Sequence, residues 1–338
     1  MAGRCFYRRR TVNGYLMNVV IVLSAVWVAL TVLDFALSGI GVWIWGWDYW
    51  KSFRWGLTML AVPVVLMVWG MVVERNICRV KYVDVALVGL PEGFDGYRIV
   101  HLSDIHSMSF AGREKVLRKM VERANREEGD LVVFTGDVVT KQPEELEITG
   151  GELRRLKGKD GVMAVAGNHD YCVYFDKGKR HGPLKGGFER VCRGMEDLGW
   201  RVLRNENEMI ERGGDTLAVV GTENISNVRL FCSTGNLSKA QEGAEGRCKV
   251  LLSHDPSVWD DKVVGQSDIG LTLSGHTHAA QLSLLGWSPS CLMHKRSRGL
   301  YREGGQYLYV NSGLGETMLP FRIGVAPEIT VITLKRKK

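Results

Sequence analysis

The chain has 338 residues, of which 45% are hydrophobic, enough for a membrane region and one large globular domain. Its formal net charge of +7 is unevenly spread. Residues 1–81 hold nine Lys or Arg against three Asp or Glu, whereas residues 82–338 are close to neutral. A surface that binds nucleic acid needs clustered basic residues on the globular part, so we expect no nucleic-acid partner.

Two apolar stretches predict a membrane anchor in residues 1–80. Residues 11–33 and residues 55–73 contain no charged side chain. As helices they would be roughly 34 Å and 28 Å long, which suits the hydrocarbon core of a bilayer. We therefore predict a two-helix transmembrane hairpin, followed by a globular domain in residues 81–338, with the lipid bilayer as a partner.

Basic residues predict the orientation of this anchor. Arg8, Arg9 and Arg10 precede the first apolar stretch, and Arg75 and Arg79 follow the second. The positive-inside rule then gives an integral inner (cytoplasmic) membrane protein with its globular domain in the cytoplasm. The seven scattered cysteines, without a Cys-x-x-Cys pair, agree with that compartment. The alternative is a twin-arginine export signal, which would put the domain on the exported face.

From residue 82 onward, apolar strands alternate with amphipathic segments. Residues 112–128 carry an apolar stripe at helical spacing. The predicted strands are 99–102, 131–134, 162–166, 217–220, 249–252, 269–273, 307–310 and 329–334. The alternation predicts an α/β protein, and the many strands with few helices late in the chain predict two facing sheets. We expect a two-sheet α/β sandwich.

Potential metal ligands follow five of these strands. They are Asp104 and His106, Asp137, Asn168, His254, and the pair His276 and His278. Burying so many polar groups without a cation would be costly. Carboxylate, amide and imidazole ligands without thiolates suit Mn²⁺, Fe or Zn²⁺. The set predicts a centre for two divalent metal ions.

The order of these motifs resembles the signature of the calcineurin-like metallophosphoesterase superfamily. The motifs are Asp104-x-His106, Gly136-Asp137, Gly167-Asn168-His169-Asp170, His254 and Gly275-His276-x-His278. The segment 309–315 further resembles a bacterial membrane-anchored, YkuE-like branch of that superfamily. The resemblance implies a sandwich of the metallophosphoesterase type in residues 81–338.

The resemblance also implies a role for each residue. Asp137 would bridge two ions and complete two ligand sets, which are Asp104, His106 and His278 for one ion and Asn168, His254 and His276 for the other. A metal-bridging hydroxide would attack phosphorus, and His169 would stabilise charge and protonate the leaving oxygen. Asp170 would orient the His169 imidazole, with a plain turn role as the alternative.

Residues 171–187 follow the catalytic motif directly and are polar and rich in glycine. Tyr171, Lys179, Arg180 and His181 are the candidate substrate contacts in this segment. Basic groups would meet phosphate, and the aromatic ring would meet a base or acyl chain. The alternative is a solvated surface loop.

Two positions depart from the branch. Ala279 and Ala280 stand where many members have two glycines, and Thr140 stands where many have an acidic residue. Neither change removes a predicted ligand.

Together these features predict a metal-dependent phosphoric ester hydrolase of the phosphodiesterase or pyrophosphohydrolase type. Its substrate would be a phosphate-containing small molecule or lipid, such as a lipid-linked or nucleotide-sugar compound near the bilayer. Two alternatives stay open. A non-catalytic membrane-tethered scaffold that binds metal or nucleotide would tend to lose His169, and a nuclease is disfavoured by the balanced charge of the globular part.

Overall fold

The structure is a computed structural model that describes the backbone of residues 2–174, 176–177, 180–181, 184–228 and 231–337. Side chains are described in residues 24–174, 184–228 and 231–337. The chain divides into two compact units. A helical unit comprises Met1–Arg75 with Met318–Ile323, and a globular unit comprises Asn76–Thr317 with Gly324–Lys338.

Seven α-helices are assigned within the described residues. They are α1 (Ala2–Trp45), α2 (Tyr49–Met59), α3 (Ala61–Val72), α4 (Glu114–Arg126), α5 (Leu146–Leu153), α6 (Gly187–Asp197) and α7 (Leu237–Ala240). Fourteen strands are assigned there as well. They are β1 (Arg79–Leu87), β2 (Arg98–Leu102), β3 (Leu131–Thr135), β4 (Val162–Val165), β5 (Asp176–Lys177), β6 (Arg180–His181), β7 (Arg201–Val202), β8 (Glu206–Arg212), β9 (Asp215–Gly221), β10 (Cys248–Leu252), β11 (Leu271–Ser274), β12 (Gly299–Glu303), β13 (Gln306–Val310) and β14 (Glu328–Arg336).

The helical unit contains α1, α2 and α3. Within its described residues, Ser24–Trp45 and Tyr49–Asn76 are long and apolar enough to cross a membrane. The turn between them is shorter than the sequence suggested, because Gly46 takes a left-handed φ of 66° after α1 and Asp48 caps α2 by accepting from the Lys51 N–H. Both apolar helices therefore extend nearer to this turn than residues 11–33 and 55–73.

Pro63 explains the break between α2 and α3. A proline has no N–H, and its ring clashes with the carbonyl of the residue four positions earlier, here Met59. The helix is interrupted at Leu60, one residue after that position. Two helices with one break thus form the second apolar stretch.

The first sheet of the globular unit has the order β1-β14-β2-β3-β4-β7. Strands β2, β3, β4 and β7 are parallel, β14 is antiparallel to β2, and β1 is parallel to β14. The second sheet has the order β12-β13-β11-β10-β9-β8, with β13, β11, β10 and β9 parallel and an antiparallel strand at each edge. Loops that follow parallel strands meet at one edge of a sheet, which is where α/β folds bind ligands.

The core has layers on both sides of the first sheet. Val133 of β3 packs with Val219 of β9 between the two sheets. The neighbouring Val132 packs with Leu117 of α4 and Met195 of α6, on the other face of the first sheet. Because alternate residues of a strand point to opposite faces, β3 is buried on both faces and its sequence is one continuous apolar run. The predicted two-sheet α/β sandwich is confirmed, and apolar helices that could form a hairpin precede it.

A buried carboxylate joins three strands of the globular unit. Glu328 of β14 lies 2.6 Å from the Lys81 ammonium of β1 and accepts from the Tyr309 hydroxyl of β13 at 2.7 Å. Burial acts to raise the pKa of Glu328, but Lys81 and the hydrogen bonds outweigh it and hold that pKa below its usual range. Its interactions therefore stabilise the fold above the pKa of an unfolded glutamate and are lost as the pH falls through the lower folded-state pKa.

We expect Glu328→Gln to lower the stability of the protein by about 2 kcal/mol at neutral pH, since charge-assisted hydrogen bonds would become neutral ones and Lys81 would lose its partner. The melting temperature of the detergent-solubilised protein, measured at several pH values, tests this. The difference from wild type should shrink once the pH falls below about 4, where an unfolded glutamate is protonated. A constant difference across that range would contradict the ionised role of Glu328.

Candidate metal centre

The candidate ligands all lie in loops that follow parallel strands. Asp104 and His106 follow β2, Asp137 follows β3, and Asn168 follows β4 of the first sheet. His254 follows β10 of the second sheet, and the pair His276 and His278 follows β11. Because the two sheets face each other, their ligand loops converge at one edge of the sandwich.

Backbone strain is concentrated in these loops. Five of the seven candidate ligands have a left-handed φ between 45° and 73°, a conformation that costs a residue with a side chain about 1–2 kcal/mol. These ligands are Asp104, His106, Asp137, His276 and His278. Gly136 precedes Asp137 at a φ of 91°, and a Cβ there would lie 2.7 Å from the Gly167 Cα and the His254 Nδ1. The packing of two ligand loops against each other therefore requires glycine at position 136.

The first group of ligands contains Asp104, His106 and His278, all buried. The Nε2 atoms of His106 and His278 lie 3.0 Å apart, and the Asp104 Oδ1 lies 3.3 Å from the His278 Nε2. The other oxygen of Asp104 is 2.5 Å from the Ser103 hydroxyl and accepts from it. One oxygen of Asp104 and two imidazole nitrogens thus face a common point.

The second group contains Asp137, His254 and His276. The His254 Nε2 lies 3.2 Å from the Asp137 Oδ2, 3.2 Å from the His276 Nδ1 and 3.1 Å from the Asn168 Oδ1. Asp137 also lies 3.6 Å from the His106 Nε2 of the first group. Its carboxylate is therefore positioned between the two groups, as a bridging ligand would be.

The donor set fits divalent cations. His254 Nδ1 is 2.7 Å from the Thr135 carbonyl, so Nδ1 carries a proton and Nε2 can present its lone pair to the centre. Burial opposes a charge on His254, yet the Asp137 carboxylate outweighs it and raises the His254 pKa to about 10. Two buried carboxylates, those of Asp104 and Asp137, thus draw positive charge into the centre. A metal ion would supply that charge and accept the converging lone pairs.

His169 lies beside the ligands and is partly exposed. It forms a third close group with His106 and Asp137, and its ring centroid is 4.8 Å from that of His106. Its Nδ1 is 2.7 Å from the Thr140 carbonyl, which accepts a hydrogen bond from it. This contact fixes Nδ1 as the protonated nitrogen when the ring is neutral.

Asp170 is fully buried and contacts backbone rather than the His169 ring. Its carboxylate accepts from the N–H groups of Asp137 at 2.8 Å, Gly167 at 2.9 Å and Val139 at 3.1 Å. Burial and the charge of Asp137 raise the Asp170 pKa to about 7. The predicted orienting contact to His169 is made by the Thr140 carbonyl instead. Asp170 ties together the two loops that carry Asp137 and Asn168.

Three further residues support the centre, and two of them, Glu145 and Asp255, were not singled out from the sequence. The buried Glu145 accepts from the backbone N–H groups of Thr140 and Lys141, and so fixes the carbonyl that holds His169. The Asp255 carboxylate lies 3.9 Å from the His276 Nε2, and the Tyr174 hydroxyl accepts from the Asn168 amide at 3.1 Å. Asp255 gave a signal through its position next to His254, and Tyr174 lies in the segment 171–187 that the sequence marked for substrate contact.

Of the four candidate substrate contacts, the structure describes the side chain of Tyr171 only. Tyr171 is buried, its ring stacks on Phe188 at 4.1 Å, and its hydroxyl is 2.6 Å from that of Thr234. The stacking occupies one face of the ring and the hydrogen bond occupies the hydroxyl, so Tyr171 packs in the interior of the globular unit. Lys179 lies outside the described residues. Arg180 and His181 form β6, and their side chains also lie outside the described part of the chain.

Ala279 and Ala280 have φ values of 48° and 51°. Glycine adopts this left-handed conformation freely, whereas alanine is strained in it. We expect Ala280→Gly, at an exposed position, to raise stability by about 0.5–1 kcal/mol, since relief of strain exceeds the entropy that glycine adds to the unfolded chain. Thermal unfolding of the variant tests this, and a lower melting temperature for Ala280→Gly would contradict the strain.

The matched control is Ala111→Gly. Ala111 is partly exposed and has an ordinary φ of −59°, so glycine there relieves no strain. The same substitution should therefore lower the melting temperature at position 111, through the entropy added to the unfolded chain, while it raises the melting temperature at position 280.

Comparison with known proteins agrees with this geometry. Residues 97–280 match the family model described as calcineurin-like phosphoesterase. The chain is 32% identical over 297 residues to the "Transmembrane protein with metallophosphoesterase domain" of Danio rerio, which covers 84% of this chain and 64% of the relative. It is 31% identical over 255 residues to the "Uncharacterized metallophosphoesterase YkuE" of Bacillus subtilis, which covers 73% of this chain and 82% of the relative. The chain thus spans just under two thirds of the length of the zebrafish relative.

A solved dimetal phosphatase from Danio rerio overlaps 66% of this chain and 89% of its own at 12% identity, with a TM-score of 0.41. The family assignment rests on the match over residues 97–280, which covers every candidate ligand, and on the YkuE relative. Members of this family are metal-dependent phosphoester hydrolases with a dinuclear centre. The chain belongs to the calcineurin-like phosphoesterase family.

Proposed function

We propose that this protein hydrolyses a phosphodiester or diphosphate bond, with two divalent metal ions, while anchored in a membrane. The observation that carries the proposal is the overlap of three ligand groups at one sheet edge. The group that contains the partly exposed His169 also contains His106 and Asp137. It therefore shares His106 with one of the other two groups and Asp137 with the other. A scaffold that only binds metal has no need of a further imidazole beside its ligands.

Each described residue has a distinct part in this proposal. Asp104, His106, Asp137 and His278 would hold one ion, and Asp137, Asn168, His254 and His276 the other. When bound, the ions would activate water and neutralise charge on the phosphoryl oxygens. His169, held by its Nδ1, would donate a proton from Nε2 to the leaving oxygen.

Two buried acidic residues would hold the loops that carry the ligands in this geometry. Asp170 accepts from the Asp137 and Gly167 N–H groups, and Glu145 holds the Thr140 backbone. Both act as positioning residues because they touch ligand loops rather than the reacting atoms. Their buried carboxylates would hold the strained loops near the geometry that hydrolysis needs.

Membrane anchoring is supported by the two apolar helical stretches and by the name of the Danio rerio relative. Tethering raises the local concentration of a substrate at the bilayer, so we propose a lipid-linked phosphodiester or a nucleotide diphosphate-linked compound. We further propose that the anchor spans residues 1–80 and that the globular domain faces the cytoplasm. A C-terminal reporter active only outside the cytoplasm would overturn that orientation.

Metal removal tests the chemistry. Full-length protein in detergent should lose hydrolysis of bis(p-nitrophenyl) phosphate when treated with a chelator, and regain it with Mn²⁺, Zn²⁺ or Fe²⁺. The metal that restores the highest rate at matched occupancy identifies the preferred ion, which we propose to be Mn²⁺. Undiminished activity after complete metal removal, checked by elemental analysis, would exclude a metal-dependent hydrolase.

A further inference from the structure

An exposed apolar segment lies next to the metal centre in the globular unit. We call residues 282–293 the apolar tip. It begins four residues after the ligand His278 and ends next to His294, whose ring centroid is 5.5 Å from that of His276. Its large exposed side chains are Leu284, Leu285, Trp287, Leu292 and Met293, of which Leu292 is 78% and Met293 83% exposed.

Residues 284–287 of this segment form a strained hairpin turn. Leu284 and Trp287 exchange two backbone hydrogen bonds, at 2.8 Å and 3.0 Å. The two residues between them have left-handed φ values, 49° at Leu285 and 90° at Gly286. A turn of this kind favours a polar residue such as asparagine at its first central position. A fully exposed leucine there gains nothing in water.

Hydrogen bonds hold both the turn and the base of the segment. The Ser288 hydroxyl donates to the Ala279 carbonyl at 2.5 Å, and the Arg298 guanidinium donates to the Gly286 carbonyl at 2.7 Å. The Thr277 hydroxyl donates to the Ser297 carbonyl, also at 2.5 Å. The apolar side chains therefore project from an ordered base that adjoins the ligand loop.

Charge near the segment suits an anionic surface. Residues 269–302 contain no Asp or Glu, and they contain Lys295, Arg296, Arg298 and Arg302. Lys295 and Arg296 pair with Asp260, and Arg296 also pairs with Glu303. Lys295, Arg296 and Arg298, which lie within five residues of the apolar tip, outnumber these two acidic partners. Anionic lipid headgroups attract such an excess, and tryptophan favours the interface.

We propose that the apolar tip inserts into the interfacial layer of an anionic bilayer. This proposal rests on the membrane anchoring proposed above, because the anchor keeps a bilayer within reach of the globular unit. Leucine, methionine and tryptophan side chains would leave water for the acyl boundary, as in other peripheral membrane contacts. Insertion would bring the ligands His276 and His278 close to lipid headgroups.

Position-specific fluorescence tests the insertion. A fluorescent amino acid is placed at Leu285 or at Leu292 of the full-length chain, which is then reconstituted in nanodiscs containing phosphatidylglycerol and a doxyl-labelled lipid. The matched control is Val88, which is 68% exposed and follows β1. Since β14 is antiparallel to β2, the end of β1 lies at the sheet edge opposite the metal centre.

We expect the lipid quencher to reduce emission at positions 285 and 292 at least about threefold more than at position 88, and iodide in the buffer to show the reverse order. Leu285→Asp should weaken the lipid quenching of a probe at position 292. Leu285 is fully exposed, so this change removes no buried contact.

Other results would overturn the proposal in distinguishable ways. Protein that elutes with the discs but shows equal lipid quenching at all three positions refutes insertion and leaves the anchor intact. Protein that elutes apart from the discs refutes both. Protection of position 285 from iodide without lipid quenching, dependent on two chains per disc, would assign the apolar tip to a second copy instead.

Discussion

Asp137→Asn is expected to abolish hydrolysis, with a loss on the order of 10³-fold or more. The Asp137 carboxylate lies 3.2 Å from the His254 Nε2 and 3.6 Å from the His106 Nε2, so it belongs to both ligand groups. The other carboxylate oxygen of Asp137 accepts from the backbone N–H of His169 at 2.8 Å. One neutral substitution would therefore weaken both candidate metal sites, while its amide oxygen could still accept from the His169 backbone N–H.

The metal content distinguishes this loss from misfolding. Elemental analysis of the purified variant should show less than two ions per chain, while its circular dichroism should match that of wild type. Asp197→Asn is the matched control, because Asp197 is an exposed aspartate at the end of α6. It should keep both metals and full activity. An Asp137→Asn protein that retains two ions and wild-type turnover would refute the bridging role.

The convergence of the candidate ligands could be predicted because their signal is local. Each follows a short apolar run, and a run such as residues 131–135 is buried on both faces. Parallel strands of one sheet end at a common edge. Motifs that follow such strands could therefore be expected to lie close together.

The contacts that orient these ligands could not be predicted in the same way. His254 and His169 are held by the carbonyls of Thr135 and Thr140, and every residue has a carbonyl. No residue type at positions 135 or 140 encodes such a contact. For Asp170 the sequence left two roles open, an orienting contact to His169 and a plain turn role. Its partners are backbone N–H groups, which agrees with the turn role.

Edge strands and helix boundaries could not be predicted from the sequence for a physical reason. In β8 only Ile210 is buried, and most other residues are charged or polar, so no apolar run marks the strand. The first half of β1 is largely exposed and basic, and residues 79–81 resemble the flank of a membrane helix. Helix α1 continues past Asp34 to Trp45, because the left-handed Gly46 ends it rather than the first charged residue.

The second large effect is expected from His169→Ala, and it should depend on the leaving group. If His169 protonates the leaving oxygen, its removal should slow the hydrolysis of an alkyl phosphodiester by roughly 10²–10⁴-fold. p-Nitrophenolate leaves as a stable anion and needs little protonation. The same variant should therefore lose less than about tenfold on bis(p-nitrophenyl) phosphate.

The two substrates together make the comparison decisive. His169 belongs to a close group with His106 and Asp137, so a loss of metal would also lower the rate, but it would do so for both leaving groups. Elemental analysis should find two ions in the variant, since His169 is held by the Thr140 carbonyl and is not needed to complete either ligand set. Equal losses on both substrates with full metal content would show that His169 stabilises phosphoryl charge rather than donating a proton. That outcome would move the proton donor to water or to another residue at the rim, where the His294 ring lies 5.5 Å from that of His276.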